Sequence, residues 1–126
     1  MSKSIHSKER KPVWIALSDF YLDTELQDFN FRYIAKTIIE SPYTFEEVKT
    51  INMYEVFPVL QSNLLQPAGE WAGFNEKWLV EAITNYLETK NSSDDTMINT
   101  SYKKYGWMQE DYWLQLESTY NEMLNK

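Results

Sequence analysis

The stretch NEKWLVEAITNYLE (75–88) carries apolar side chains at Trp78, Leu79, Ala82, Ile83, Tyr86 and Leu87. That recurrence follows the 3.6-residue turn of a helix, not the two-residue alternation of a strand. Asn75 stands where a helix takes its N-cap: its side-chain oxygen can accept a free N–H of the first turn. Glu76 suits the positive end of the helix dipole. The stretch predicts an amphipathic helix to about Glu88, with one face in a core and the other in water.

The same period recurs on both sides. Pro12 has the fixed φ that favours a first helical position, and Val13, Trp14, Leu17, Phe20 and Tyr21 follow at helical spacing, predicting a helix that ends near Leu22. After the connection LDTEL (22–26), residues 27–40 predict a second helix with Phe31, Ile34, Ala35, Ile38 and Ile39 on one face. In SPYTFEEV (41–48), Pro42 ends what precedes it, and Thr44 and Glu47 have capping-box spacing. A third helix then runs from Phe45 through Val48 and Ile51 towards Tyr54. Pro58 lacks an N–H and its ring meets the preceding turn, so the sequence requires either a break near 53–57 or a kinked continuation to Leu65.

LLQPAGEWAGF (64–74) holds two of the three glycines, Gly69 and Gly73, and reads as a helix–helix corner with Trp71 folded over both neighbours. TKNSSDDT (89–96) reads as a linker. Met97 to Tyr105 reads as a short helix stopped by Gly106, and 110–124 as a last helix burying Tyr112, Trp113, Leu116, Tyr120, Met123 and Leu124. No useful strand-like alternation is present. The fold class is all-α, a compact single-domain bundle of five or six short helices. Residues 1–10 form a mobile basic tail and 11–126 the domain, divided into a main body (11–89), a linker (90–96) and a C-terminal segment (97–126) packing on the body.

Bulk composition narrows the function. At 126 residues with 16% aromatics the chain can build one real core. No window approaches a membrane span, and MSKSIHSKERK (1–11) lacks the apolar centre of a secretory signal. With no cysteine there are no disulfides, thiolate nucleophiles or cysteine-based zinc sites, and the expected compartment is the cytoplasm. The net charge of −7 is uneven: residues 1–12 carry four bases against one acid, and the remaining 114 carry eight bases against eighteen acids. So acidic a body repels phosphate backbones, which argues against nucleic acid, and suits a basic protein partner.

Chemistry is hard to assemble from these residues. The single histidine, His6, lies in the tail, and three glycines cannot supply a phosphate-binding loop. No catalytic residue, metal or cofactor is expected. Asp19, Asp23, Glu25 and Asp28 crowd the end of the first helix and the following turn, with no basic residue between Pro12 and Phe31 to pair with them. They could build a carboxylate pair or a cation site, but an acidic binding face is the simpler reading. Glu55 and Glu70 extend it. Trp14, Trp78 and Trp113 fall on apolar stripes and predict core packing, whereas Trp71 and Trp107 lie in or beside glycine-containing loops and are candidate partner anchors.

PVWIALSDFYLDTEL (12–26), IIESPYTFEEV (38–48), YEVFPVLQSNLLQPAGEWAGF (54–74) and the WL at 78–79 together resemble a family of small, uncharacterised bacterial domains, across about two thirds of the chain. The resemblance implies helical character and a bacterial origin, and transfers no catalytic residue. In general profile the chain is also similar to immunity proteins, small acidic domains that block a toxin by occupying its site. The expected function is therefore a non-enzymatic binding protein that neutralises a bacterial toxin, with Asp19, Asp23, Glu25, Asp28, Glu55, Glu70, Trp71 and Trp107 facing the partner. An adaptor or regulator with another partner is the alternative, and a carboxylate-based enzyme or metal-binding protein the third.

Overall fold

The computed structural model describes residues 2–21, 26–65, 74–90, 92–105 and 109–125, and the backbone alone of 2–7, 62–65, 92–95 and 105. The described residues form helices and no strand: α1 (Ser2–Leu17) with a 3-10 turn (Ser18–Tyr21), α2 (Asp28–Glu40), α3 (Phe45–Ile51), a π turn (Asn52–Val56), α4 (Phe57–Leu65), α5 (Glu76–Thr89), α6 (Ser92–Tyr105) and α7 (Glu110–Leu124). Because α3, the π turn and α4 are continuous, these make six helical rods, an all-α domain as expected.

Local signals set several boundaries. Glu47 N–H donates to Thr44 Oγ1 (3.1 Å) and Thr44 N–H to Glu47 Oε1 (2.8 Å), closing the capping box. Trp78 N–H donates to Asn75 Oδ1 at 2.9 Å, so Asn75 caps α5. At the start of α2, Gln27 N–H donates to Asn30 Oδ1 at 2.8 Å. The rod continues past Pro58 through the π turn: Phe57 N–H reaches back to the Asn52 carbonyl, one residue further than in an α-helix. The wider turn accommodates the ring and the missing N–H of Pro58 without breaking the rod.

Two boundaries differ from the expectation. The first helix starts at Ser2, so residues 2–10 belong to α1 and Pro12 lies inside it. Pro12 is exposed, where water can satisfy the carbonyl it leaves bare, and a long-range contact at Arg10 holds the turn before it. The segment 90–96 is no linker either, since α6 begins at Ser92. Ser, Asp and Thr suit a helix N-terminus as well as a loop, and Lys103 and Lys104 complement the other end. The corner at 66–73 lies outside the described residues.

Helix α1 is central, packing on α2, α5 and the π turn through Val13, Trp14, Ala16 and Leu17. Helix α7 lies along α2 and is fastened by rings. Trp113 meets Phe20 edge-on at 5.0 Å and Phe45 at 5.8 Å; Tyr112 reaches Phe20 and Phe31, and Tyr120 reaches Phe45. Such contacts each contribute about 0.5–1.5 kcal/mol beyond area burial. Three residues expected in the core are exposed: Ile39 (38%), Trp78 (50%) and Leu124 (52%). Each stands at the edge or end of its apolar stripe. The centre of the α5 stripe is Leu79 and Ile83, and Trp78 stacks outside it on Phe74, ring centroids 6.3 Å apart.

Candidate protein-binding face

The candidate acids divide into two environments. Glu55, on the π turn, faces inward: it forms an ion pair with Arg10 and accepts from Trp14 Nε1 at 2.8 Å. Arg10 also donates from Nε to Tyr43 Oη at 3.1 Å, and its guanidinium lies 5.1 Å over the Tyr43 ring. Burial works against the Arg10 charge, but Glu55 and Tyr43 more than offset it and move its pKa up. Glu55 is therefore committed within the fold, where it ties α1 to the π turn, and it does not belong to an outward acidic face.

Asp19, on the 3-10 turn, has no ion-pair partner among the described residues. Burial raises its pKa, opposed by a hydrogen bond with the Asn30 side chain. Burial raises the pKa of Tyr33, and the charges of Asp19 and Glu76 raise it further. Asp19 of the 3-10 turn and Glu76 at the start of α5 thus both act through their charge on one half-exposed phenol of α2. Asp28 is exposed and pairs with Arg32 at 3.2 Å, the cation one position beyond the base-free stretch. An exposed pair of that kind contributes only about 0.3–0.5 kcal/mol. Asp23, Glu25, Glu70, Trp71 and Trp107 lie outside the described residues.

Sequence reading passed over Phe29, Tyr33, Glu76 and the outward position of Trp78. Phe29 is 69% exposed and Tyr33 45%. Four residues apart on α2, they share a stripe facing away from buried Phe31, Ile34, Ala35 and Ile38. The signal was available, because neither fits the apolar stripe. Large rings outside the core, on an acidic domain, have the chemistry of a protein-binding surface.

A second polar cluster is wholly internal. Tyr21 Oη donates to Asn52 Oδ1 at 2.6 Å, and Asn52 Nδ2 donates to Gln109 Oε1 at 3.1 Å, all three residues being buried. Burial raises the pKa of Tyr102 of α6, opposed by the Asn52 side chain, which places it beside the same cluster. The Gln109 amide nitrogen approaches the Tyr21 hydroxyl, and the Trp113 indole nitrogen that of Tyr102, but neither approach closes to a full hydrogen bond. Burial pushes the Tyr21 pKa far up, so the phenol stays neutral and donates. The cluster joins α6 and α7 to the π turn and fixes their register.

Among the described residues no group of three or more His, Asp or Glu could hold a metal ion, and no helix is long and apolar enough to cross a membrane. Glu55 is held by Arg10 and Trp14, while Asp23 and Glu70 lie outside the described residues. No curated protein and no solved structure matches the chain. One family model does, over residues 8–119, nearly the whole domain, and the chain belongs to that family, DUF7079, a domain of unknown function.

Proposed function

We propose that this is a non-enzymatic binding protein whose partner is a basic protein, and specifically an immunity protein that neutralises a cognate bacterial toxin in the cytoplasm. The carrying observation is the exposure of Phe29, Tyr33 and Trp78 on a domain whose last 114 residues hold ten more acids than bases. Negative charge steers a basic partner in and speeds association; desolvated rings slow its departure. Asp19 and Glu76 supply charge that acts on Tyr33, and Asp19 is half-buried without a cation of its own among the described residues.

Co-expression with the product of the adjacent gene tests this reading. The expected result is a stable complex with a basic protein that arrests growth when expressed alone. Its association rate should fall at least about tenfold between low and high salt, as steered encounters do. A neighbouring gene that is harmless without this one overturns the immunity role.

A further inference from the structure

An open groove of about 500 Å³ lies between residues of α1 and α2. Glu9 and Pro12 of α1 form one wall and Tyr33, Thr37 and Glu40 of α2 the other, with Ser41 and Pro42 also in the lining. Tyr33, Thr37 and Glu40 follow one another along two helical turns, roughly 10 Å, the span of about three extended residues. Among the described residues the lining contains two carboxylates and a phenol ring and no basic residue. Lys36, one turn before Glu40, is exposed and makes no ion pair with it.

The chain itself demonstrates what such a set accepts. Next to the groove, Arg10 lies over Tyr43, the residue after Pro42, and pairs with Glu55. Arginine is suited to this arrangement because its planar guanidinium stacks on a ring while its N–H groups fork a carboxylate. In the groove the ring (Tyr33) and the carboxylates (Glu9, Glu40) are present and, among the described residues, the arginine is missing. The Tyr33 end is further biased towards cations by Asp19 and Glu76. Phe29, one turn beyond Tyr33 on the same stripe, extends the surface with an exposed apolar ring.

We infer that the α1–α2 groove seats an extended, arginine-bearing segment of the partner, with one guanidinium over Tyr33 and another between Glu9 and Glu40. This rests on the reading that the partner is a basic protein. Charge complementarity selects the occupant: a neutral or acidic segment would leave both groove carboxylates unpaired.

The test is an NMR titration of the isotopically labelled full chain with the peptide acetyl-Arg-Gly-Arg-amide, alongside its Lys-Gly-Lys and citrulline counterparts. Saturable shifts are expected at Glu9, Tyr33, Thr37, Glu40 and Ser41, with Lys-Gly-Lys several-fold weaker and the uncharged peptide silent. The double variant Glu9→Gln with Glu40→Gln should weaken binding at least fivefold, and Tyr33→Ala should remove the preference for arginine over lysine. Unchanged circular dichroism would establish that both variants remain folded. Shifts spread equally over the carboxylates of α3, α5 and α7, or unaltered by the double variant, overturn the groove. The titration needs no partner, so it separates from the toxin reading. A groove that binds beside a harmless neighbouring gene removes only the immunity role, and growth protection undiminished by the double variant removes only the groove.

Discussion

Arg10–Tyr43–Glu55 and Asp19–Tyr33–Glu76 each couple carboxylate and phenol across helices, yet they do opposite things. In the first, an arginine 45 residues away in sequence from its carboxylate completes the set, and Trp14 takes up the remaining oxygen. In the second, two carboxylates act on a phenol through their charge and no cation pairs with Asp19 among the described residues. A domain that folds unaided gains from the first arrangement. The second costs stability unless something outside the chain completes it, which is the pattern expected of a binding surface.

Breaking the completed cluster should have the largest effect. Glu55→Ala removes the partner of a guanidinium whose side chain is 24% exposed and leaves the Trp14 N–H without its acceptor. A loss of about 3 kcal/mol in urea unfolding is expected, with the turns of α1 before Pro12 losing amide protection first. A double variant, Arg10→Met with Glu55→Leu, should recover most of that loss, because no uncompensated charge remains. If Glu55→Ala costs less than about 0.5 kcal/mol, the pair behaves as a surface pair and the contrast between the two clusters disappears.

Next in size is Tyr21→Phe, within the buried network that joins α7 to the π turn. It deletes the hydroxyl on Asn52 Oδ1 without changing the ring, and should cost about 1–2 kcal/mol by leaving that acceptor under-satisfied in the core. Near-ultraviolet circular dichroism should change with it, because Trp113 and Tyr102 border the same network. An unchanged unfolding midpoint would mean that the ring packing alone sets the register of α6 and α7.

These features differ in how legible they were in the sequence. The Thr44–Glu47 box, the Asn75 cap and the continuation past Pro58 are local: the residues that decide them lie within one or two turns. The start of α1 was not legible, because Pro12 is a good first helical residue and what holds the preceding turns lies on the π turn, far along the chain. Serine and aspartate at 92–95 serve a linker and a helix N-terminus equally well, so composition could not choose between them. Periodicity gave the right faces but not their edges. Ile39, Trp78 and Leu124 obey the period and still face solvent, since burial there depends on tertiary neighbours. The candidate acids were indistinguishable for the same reason: Glu55 and Asp19 differ through a cation that only the fold delivers. Phe29 and Tyr33 were the exception, readable as rings off the buried stripe of α2 and passed over there.

The smallest expected effect has the opposite sign and isolates the incomplete cluster. Burial holds the Asp19 carboxyl above its ordinary pKa near 4, so the folded state binds its proton more tightly than the unfolded chain does. By linkage, stability then falls as pH rises through the folded value, and below the unfolded value the cost is absent. Asp19→Asn keeps an oxygen for the Asn30 side chain and removes the charge. At pH 3 variant and parent should unfold alike, and as pH climbs towards 7 the variant should become slightly the more stable, with all other carboxylates cancelling in the difference. The same variant should bind the basic partner less tightly, the exchange of stability for function that an uncompensated charge at a binding face entails. If Asp19→Asn is instead destabilising at neutral pH, the carboxylate is completed from within the chain, as Glu55 is, and the distinction between the two clusters fails at the residue that defines it.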